Sequence, residues 1–410
     1  MNPSESFRCR ICRGPVWQFL DLGRQPISDA FRTAGDTDPE FFFDLAVGRC
    51  AACTMIQLTN AVPRERMFHA GYPYLSSGSA VMREHFARTA ASFLETELRD
   101  DGSFVIEIGC NDGVMLGMIA EAGRRHLGVE PSAGVARIAE DAEVRVRVAF
   151  FEESTARDIV ATEGRADLAY SANTICHIPY LDSVFRGLDA VLKPSGIFVF
   201  EDPYFGDIVA KTSYDQIYDE HFYYFTVRSV REMVRRFGFE LVDVAPLAVH
   251  GGELRYTVAR AGQRTVTPAV AEWLAAEERA GLAEAITCSR FAANVGANRR
   301  ALRGLLERLH EAGHSVAGYG ATAKSATVTN FVGITPELVS YVCDSTPAKQ
   351  GRLTPGAHLP VLSPERFREP YPDYALLFAW NHAEEIMAKE HEFRDHGGRW
   401  ITYVPDVAIR

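Results

Sequence analysis

The chain has 410 residues, of which 47% are hydrophobic and 24% are charged, and this composition predicts a soluble protein of two or three domains with ample core. Its formal net charge of −11 and its lack of any Lys/Arg-rich run argue against a nucleic-acid or anionic-membrane partner, because phosphate binding needs basic clusters. No apolar stretch approaches the roughly 20 residues of a transmembrane helix, and the N-terminus lacks a signal-peptide pattern, so we expect a cytoplasmic location.

Four of the eight cysteines form two CxxC pairs near the N-terminus. Each pair resembles half of a tetrahedral zinc knuckle, because the short spacing brings two thiolates to one metal. A reducing compartment disfavours two disulfides, and the spacing disfavours four unrelated buried thiols. We predict a structural zinc, since four thiolates leave no open position for chemistry. The ligands of this zinc-binding module, residues 1–70, are then Cys9, Cys12, Cys50 and Cys53.

A polar loop with aromatic side chains follows the module, at residues 72–79. It leads into a helix predicted over residues 82–98. The loop is either a linker or a cover for a ligand pocket, and both interpretations stay open at this point.

The run FVIEIGCNDG at residues 104–113 predicts a strand, a glycine-bounded loop and the start of a helix. A loop at the carboxyl end of a parallel strand is where open α/β sheets bind ligands, and glycines let a ligand approach the backbone. Glu107 and Asp112 disfavour a pyrophosphate, because like charges repel, and favour a cationic amino-acid moiety and hydroxyls. The loop resembles motif I of class I S-adenosylmethionine (SAM) methyltransferases; an ordinary tight βα turn is the alternative.

The next predicted elements fit the same class. A second strand ends in Glu130, whose carboxylate would accept hydrogen bonds from ribose hydroxyls. A later strand ends in Asn173, and an amphipathic helix, a Lys-Pro-x-Gly turn and a hydrophobic strand follow in the expected order. We predict a SAM-binding domain at residues 71–262. Its cofactor contacts are expected from Glu107, Gly109, Asn111, Asp112, Gly113, Glu130 and Asn173.

Residues 214–225 crowd acids, tyrosines and a histidine into one short segment. A lone histidine near aromatic residues is usually a packed core residue. Here Tyr218, Glu220 and His221 lie within four positions, and an imidazole can take a proton at neutral pH. We predict a catalytic role for this cluster. A strand pair around a turn at His250 then completes the predicted sheet.

A helical linker is predicted at residues 263–310, and a second βα unit begins beyond it. The motif GYGATA has the form GxGxxA and lies between a short predicted strand and a helix. A second strand, predicted over residues 338–344, ends in an acid. Together these features form a dinucleotide-binding fingerprint. A lysine, a serine and the helix N-terminus would hold a diphosphate. We predict a Rossmann-like α/β domain at residues 311–410. Its substrate contacts are expected from Gly318, Gly320, Lys324, Ser325, Asp344 and Asn381.

The two CxxC pairs and the motifs EIGCNDG, ANTICHI, YDEHF and GYGATAKS resemble the sugar C-methyltransferases of deoxysugar biosynthesis over nearly the whole chain. The similarity is greatest to the C-3′-methyltransferases of the tetronitrose and kijanose nitrosugar pathways in antibiotic biosynthesis. It implies an α/β class I methyltransferase (Rossmann-like) core between the zinc-binding module and the C-terminal Rossmann-like domain. It also implies a dTDP-linked 3-amino-4-keto-sugar bound between the central and C-terminal domains. The residues implied around the reacting sugar are Tyr72, His177, Tyr218, Glu220 and His221.

The implied chemistry begins with proton loss, because carbon is a poor nucleophile. A C-4′ ketone acidifies the C-3′ proton, and a tyrosine hydroxyl or a second histidine can stabilise the enolate oxygen. The resemblance makes His221 the base, and His177 at the end of a SAM-domain strand is the rival. Methyl transfer is an in-line displacement that depends on positioning and needs no metal or flavin.

Other functions fit parts of the sequence. A nicotinamide-dependent oxidoreductase would use the C-terminal GxGxxA, but it would leave Glu107 and Asp112 idle. An O- or N-methyltransferase acting on a small metabolite would share the SAM site. A non-enzymatic zinc-ribbon adaptor would account only for the N-terminal cysteines. We expect a monomeric sugar C-methyltransferase that uses SAM and carries zinc.

Overall fold

The computed structural model describes residues 7–69, 72, 74–249 and 251–410. The predicted turn residue His250 and position 73 of the loop at residues 72–79 lie outside them. Across the described part, one cluster of buried apolar side chains runs from Cys9 to Val404, so the successive units of the chain share a core. None of the helices formed by these residues is long and apolar enough to cross a membrane.

The N-terminal unit is built on an antiparallel sheet. In this sheet β3 lies between β1 and β4, and β4 also pairs with the strand Tyr223–Tyr224, which comes from the central unit. The sheet is therefore completed by the segment that directly follows the predicted catalytic residues. The elements of the unit are β1 (Val16–Pro26), β2 (Arg32–Thr33), β3 (Phe42–Cys50), β4 (Ile56–Leu58) and α1 (Arg64–Met67).

The central unit is a mixed sheet with the strand order β11-β12-β9-β8-β5-β6-β7. Strands β5 to β9 run parallel, and β11 and β12 are antiparallel. Strand β5 is buried at every position, as expected for a parallel strand covered on both faces. The elements are α2 (Ala80–Glu95), β5 (Phe104–Ile108), α3 (Val114–Glu121), β6 (Arg125–Val129), α4 (Ala133–Asp141), β7 (Val146–Arg147), α5 (Glu153–Glu163), β8 (Ala166–Ala172), α6 (Leu181–Val191), β9 (Leu192–Pro203), α7 (Phe205–Lys211), β10 (Tyr223–Tyr224), α8 (Val227–Arg235), β11 (Phe239–Leu247) and β12 (Glu253–Arg260), with 3-10 turns at Ser76–Gly78, Ile175–His177 and Tyr214–Gln216.

Two helices lead to the C-terminal unit, whose sheet has the order β16-β14-β13-β17-β18-β19. Its strands are parallel except for β19, and β15 pairs with β2 of the N-terminal unit. The elements are α9 (Pro268–Arg279), α10 (Ala285–Glu311), β13 (Val316–Tyr319), α11 (Ala323–Val332), β14 (Val342–Cys343), β15 (Arg352–Leu353), β16 (Val361–Leu362), α12 (Pro364–Arg368), β17 (Tyr374–Leu377), α13 (Ala383–Lys389), α14 (His391–Asp395), β18 (Arg399–Thr402) and β19 (Ala408–Ile409), with a 3-10 turn at Trp380–His382.

The α/β architecture and most of the predicted elements are confirmed. The strand predicted over residues 338–344 is shorter, because Leu338 and Val339 donate their backbone N–H groups to the Thr335 carbonyl and close a turn before β14. The domain limits at residues 70, 262 and 310 stay predictions, since strand pairing ties the N-terminal unit to both other units.

Candidate active site

A cavity of about 600 Å³ lies where the three units meet. This volume is typical of small-molecule sites, which hold roughly 300–1,000 Å³. The cavity brings residues from the predicted catalytic, cofactor and substrate groups to one space. The predicted residues that line it are Tyr72, Gly109, Asn111, Glu130, Asn173, His177, Tyr218, Glu220, His221, Lys324 and Asn381.

Other predicted contact residues, all of them within the described part of the chain, are not in the cavity lining: Glu107, Asp112, Gly113, Gly318, Gly320, Ser325 and Asp344. Several of these shape the C-terminal wall. Asp344 Oδ1 accepts a hydrogen bond from Thr346 N at 2.8 Å. A Cβ at Gly318 would lie 2.7 Å from the Phe378 ring, and the Ser325 hydroxyl donates to a carbonyl in the first turn of α11. The predicted contacts of Glu107, Asp112 and Gly113 with SAM, and of the other four residues with substrate, stay predictions.

The loop before α2 is hydrogen-bonded to the glycine-bounded loop after β5. Asn111 Oδ1 accepts from Ser76 N at 2.9 Å, and Asp112 Oδ2 accepts from Ser77 N at 3.1 Å. Because these bonds hold the first loop against the pocket, the interpretation as a cover is favoured over a linker. The same bonds occupy Asn111 and Asp112, whose predicted cofactor contacts stay predictions.

Glu130 stands at the end of β6, beside the same loop. Its two carboxylate oxygens accept hydrogen bonds from Ser132 N at 2.8 Å and from Asn111 N at 3.1 Å, which fixes the side chain at the pocket wall. Gly109 has a φ of +72°, and a Cβ there would lie 2.3 Å from Thr174 Oγ1. Only glycine therefore fits at this point of the wall.

The region beneath this loop is acidic. Burial raises the pKa of Glu107 well above its ordinary value, and the nearby carboxylates of Asp112, Glu201 and Glu130 raise it further. Burial also raises the pKa of Glu130, although the hydrogen bonds that it accepts from the backbone lower it. A cationic ligand would relieve this repulsion, and an anionic ligand would increase it.

The tautomer of His221 follows from its two hydrogen bonds. Its Nδ1 lies 2.9 Å from the Gln216 carbonyl oxygen, and its Nε2 lies 2.8 Å from the Tyr218 hydroxyl. A carbonyl can only accept, so Nδ1 carries the proton and Nε2 accepts from Tyr218. The imidazole thus presents a basic nitrogen to the tyrosine at the cavity wall.

His177 and Glu220 complete the predicted cluster. The two histidine rings have centroids 5.0 Å apart, and His177 Nδ1 lies 3.9 Å from Glu220 Oε2, which accepts from the Tyr72 hydroxyl at 3.1 Å. Burial lowers the pKa of His177 to about 3, so this imidazole is neutral, and its Nε2 has no hydrogen-bond partner among the described residues. Burial raises the pKa of Glu220 well above its ordinary value, and the carboxylates of Asp29 and Asp219 raise it further.

The C-terminal unit contributes lysine side chains to the cavity wall. Lys324 follows the GxGxxA turn, and its Nζ lies 5.6 Å from the centroid of the Trp380 ring. Burial lowers the pKa of Lys324, although the nearby carboxylates of Asp215 and Glu253 act to raise it. Asn381 lines the same wall. Cationic and amide donors at this wall suit a ligand that carries phosphate.

Among the lining residues that were not predicted from the sequence, three are acidic or basic at neutral pH: Asp29, Arg64 and Lys349. Lys349 Nζ lies 3.8 Å from Asp29 Oδ1, across the boundary of two units. The Arg64 guanidinium lies 4.1 Å from the centroid of the Phe150 ring. No motif surrounds these residues, and only the association of the units brings them to the cavity.

The four N-terminal cysteines form a second, separate cluster. Their sulfur atoms lie within 4.8 Å of one another, with Cys9 Sγ 3.6 Å from Cys53 Sγ and Cys12 Sγ 3.3 Å from Cys50 Sγ. Tetrahedral zinc with Zn–S bonds of about 2.3 Å requires sulfurs about 3.8 Å apart, so the residues fit the metal. Gln57 Nε2 donates to Cys9 Sγ at 3.1 Å, a contact typical of a thiolate ligand.

Comparison with protein families agrees with the fold and the cavity. Residues 9–68 match a family described as "Putative zinc binding domain", residues 82–244 match "Methyltransferase domain", and residues 248–405 match "C-methyltransferase C-terminal domain". The central unit is thus a class I methyltransferase core, as predicted. Together with a relative that matches almost the full chain, these matches define the protein as a SAM-dependent C-methyltransferase, which decides against an oxidoreductase, an O- or N-methyltransferase and an adaptor.

Comparison with individual proteins is more specific. The chain is 34% identical over 406 residues to the C-methyltransferase NovU of Streptomyces niveus, covering 98% of this chain and 96% of NovU. The chain therefore belongs to the C-methyltransferase family, and the resemblance seen in the sequence is confirmed. It is also 30% identical over 101 residues to a ubiquinone biosynthesis O-methyltransferase of Methylobacterium sp. (strain 4-46), covering 24% of this chain and 39% of that protein. A structure of magnesium protoporphyrin IX methyltransferase from Synechocystis PCC 6803 with bound SAM covers 44% of this chain and 79% of its own, at 11% identity and a TM-score of 0.33.

Proposed function

We propose that this enzyme methylates C-3′ of a dTDP-linked 4-keto-deoxysugar, with a dTDP-3-amino-2,3,6-trideoxy-4-keto-hexose as the expected substrate. The observation that carries the proposal is the hydrogen bond of 2.8 Å between Tyr218 and His221 at the wall of the shared cavity. Methylation at carbon requires removal of a proton, and this pair supplies a base and a hydroxyl donor at one point.

The donor side of the cavity is the acidic end of the central sheet. SAM, when bound, supplies the methyl group as an electrophile on sulfur. Glu130, Gly109 and Asn173 would hold it there, because they line the wall at the ends of β6, β5 and β8. Burial, and then the nearby carboxylates, raise the pKa of Glu107, and a sulfonium and an ammonium group bound at this wall would favour the ionised form of these acids.

Proton removal is assigned to His221 Nε2. In the resting arrangement this nitrogen accepts a hydrogen bond from Tyr218, while Nδ1 is held by the Gln216 carbonyl. When a C-4′ oxygen enters, the Tyr218 hydroxyl can turn to it and release Nε2 for the C-3′ proton. His177, neutral with a pKa of about 3, can donate a hydrogen bond to the enolate but is a poor base at neutral pH.

The nucleotide part of the substrate is assigned to the C-terminal wall. Lys324, Lys349 and Asn381 of the C-terminal unit line the cavity. Their charges and donors are suited to a diphosphate, whereas the carboxylate-rich donor side is not. The sugar would then lie between the walls, beside His221.

The test is product analysis. Purified enzyme is incubated with SAM and the dTDP-3-amino-4-keto-sugar, and the product is examined by NMR. We expect a new methyl group on C-3′, with loss of the C-3′ proton. A methyl group on oxygen, on nitrogen or on another carbon would contradict the proposal.

We also propose that Cys9, Cys12, Cys50 and Cys53 bind one structural zinc. Four thiolates complete a tetrahedral shell, so the metal would stabilise the fold and take no part in methyl transfer. Metal analysis of the purified protein should give one zinc per chain.

A further inference from the structure

The catalytic segment, defined as residues 214–221, is held by groups from both flanking units. Asp215 Oδ2 accepts from Trp380 Nε1 at 2.6 Å and from the Tyr403 hydroxyl at 2.8 Å, and both donors belong to the C-terminal unit. From the other side, Ser28 N of the N-terminal unit donates to Asp219 Oδ1 at 3.0 Å. The segment is therefore positioned by the whole assembly and not by the methyltransferase core alone.

One contact reaches the backbone of the segment itself. The Thr327 hydroxyl, on α11 of the C-terminal unit, donates to the Ile217 carbonyl oxygen at 2.7 Å. That carbonyl and the N–H of Tyr218 belong to one planar peptide group. The hydroxyl of Thr327 thus fixes the plane from which the Tyr218 side chain projects.

The Gln216 carbonyl lies between these anchors. It accepts the hydrogen bond from His221 Nδ1 that sets the tautomer of the base. On its N-terminal side Asp215 is held by two donors of the C-terminal unit, and on its C-terminal side Ile217 is held by Thr327. A shift of either neighbour would turn this carbonyl away from the imidazole.

The position of Thr327 does not allow it to contact a ligand in the cavity. It is 2% exposed, and it is not among the described residues that line the cavity. Its effect on the reaction must therefore pass through the catalytic segment. A residue that acted on the substrate would change the binding of that substrate instead.

We propose that Thr327 is a positioning residue for the Tyr218–His221 pair, through which the C-terminal unit holds the base in its Nδ1–H tautomer. The proposal rests on the proposed role of His221 as the base. It gives the C-terminal unit a catalytic task in addition to the binding of substrate.

The experiment uses Thr327→Val, which removes the hydroxyl with little change of shape. We expect kcat to fall about tenfold, the effect of losing one hydrogen bond, with KM for SAM and for the sugar nucleotide within about twofold of wild type. Nitrogen-15 NMR of the His221 imidazole should show a mixture of tautomers where the wild type shows Nδ1–H. Thr327→Ser restores the hydroxyl and should recover both properties.

Thr329→Val is the matched control. Thr329 lies on the same helix and is 1% exposed, but its hydroxyl donates to the carbonyls of Ser325 and Ala326 and accepts from Asn330 Nδ2 at 3.4 Å, all within its own helix. It should keep the wild-type kcat and imidazole signals. If Thr327→Val does not fold, Tyr403→Phe tests the same link by removing one donor to Asp215, with the same shift of tautomer expected.

Unchanged imidazole signals in the Thr327 variant, or equal loss of activity in the Thr329 control, would overturn the proposal. The tautomer is read without turnover, so this result is independent of whether His221 is the base. Full activity of His221→Asn would instead contradict the proposed function.

Discussion

His221 and His177 lie side by side but differ in what surrounds them. Nδ1 of His221 is held by a carbonyl, which leaves Nε2 as a proton acceptor beside Tyr218. Burial lowers the pKa of His177 to about 3, so His177 holds a proton poorly at neutral pH. The sequence suggested both histidines as bases, and these local contacts favour His221.

His221→Asn keeps a similar shape but cannot act as a base. We expect C-3′ proton exchange with deuterated solvent and methylation to fall together by about 10²–10⁴-fold. The exchange is followed by NMR with an inert SAM analogue in place of the donor. His177→Asn is the comparison, and it should slow exchange and methylation much less than His221→Asn does, because His177 only stabilises the enolate that both processes share. The reverse pattern would make His177 the base.

Titration of Asp202 should make the free energy of unfolding depend on pH. Burial raises the pKa of Asp202 to about 8, although hydrogen bonds from Cys176 lower it. An aspartate in an unfolded chain has a pKa of about 3.9. Between these values the native state binds more protons than the unfolded state, so the free energy of unfolding falls as pH rises. This contribution is fully present below about pH 4 and is lost by about pH 8.

Asp202→Asn should weaken that pH dependence, because an amide does not titrate. Urea unfolding at pH 5 and pH 8 should show a smaller loss of unfolding free energy in the variant than in the wild type. Asp100→Asn, at an exposed position, is the control and should follow the wild type. A variant that loses as much stability as the wild type would exclude Asp202 as a source of the effect.

At the scale of elements, the sequence predicted the long strands and helices well, because burial imposes a clear hydrophobic period on them. Strand β5 and the helix α3 that follows it lie where FVIEIGCNDG predicted them. The two-residue strands β2, β10 and β15 could not be predicted, since so short a segment has no period. Yet the pairings of these short strands join the N-terminal unit to the other two.

The loop before α2 is held at the cavity by hydrogen bonds to the loop that follows β5. Its backbone is held by Asn111 and Asp112, and Asn111 Nδ2 also donates to the Tyr74 carbonyl at 3.2 Å. Because the loop lines the cavity while bonded in this way, we expect SAM entry and release to require these bonds to break.

The double variant Asn111→Ala, Asp112→Ala should loosen this loop. We expect the dissociation rate of SAM, measured by stopped flow, to rise about tenfold or more, since at least two hydrogen bonds of the closed loop are lost. Arg83→Ala, which removes a bond to the Ser77 carbonyl from the exposed side, is a milder comparison. An unchanged dissociation rate in the double variant would show that the loop does not control release.

At the scale of the whole molecule, the active site lies where the three units meet, and the sequence predicts only some of its residues. Motifs identified the catalytic and cofactor candidates, because those residues lie at strand ends or in a dense cluster. Asp29, Arg64 and Lys349 reach the cavity only through the association of separate units, and no local pattern marks them. We expect the same association to link the cysteine cluster to the active site, because β4 of the N-terminal unit pairs with β10 next to His221.

Loss of zinc should therefore damage both stability and activity. Structural zinc in zinc-finger peptides binds with an apparent free energy of about 10–16 kcal/mol, which is comparable to the total stability of a domain, about 5–15 kcal/mol. Cys50→Ser should bind less zinc by metal analysis and unfold at a lower temperature. Cys288→Ser changes a buried cysteine outside the cluster and should keep one zinc per chain.

We expect Cys50→Ser to lose activity because two contacts between the N-terminal unit and the catalytic segment are weakened. Ser28 N holds Asp219 in the catalytic segment, and β4 pairs with β10 immediately beyond His221. A disordered N-terminal unit would release both contacts, whereas the part of the central sheet that packs against α2 and α3 has a core of its own. We expect kcat to fall more than SAM affinity, measured by calorimetry at a temperature where the variant is folded. Equal zinc content, or normal kcat in a zinc-free variant, would contradict a structural metal that supports the site.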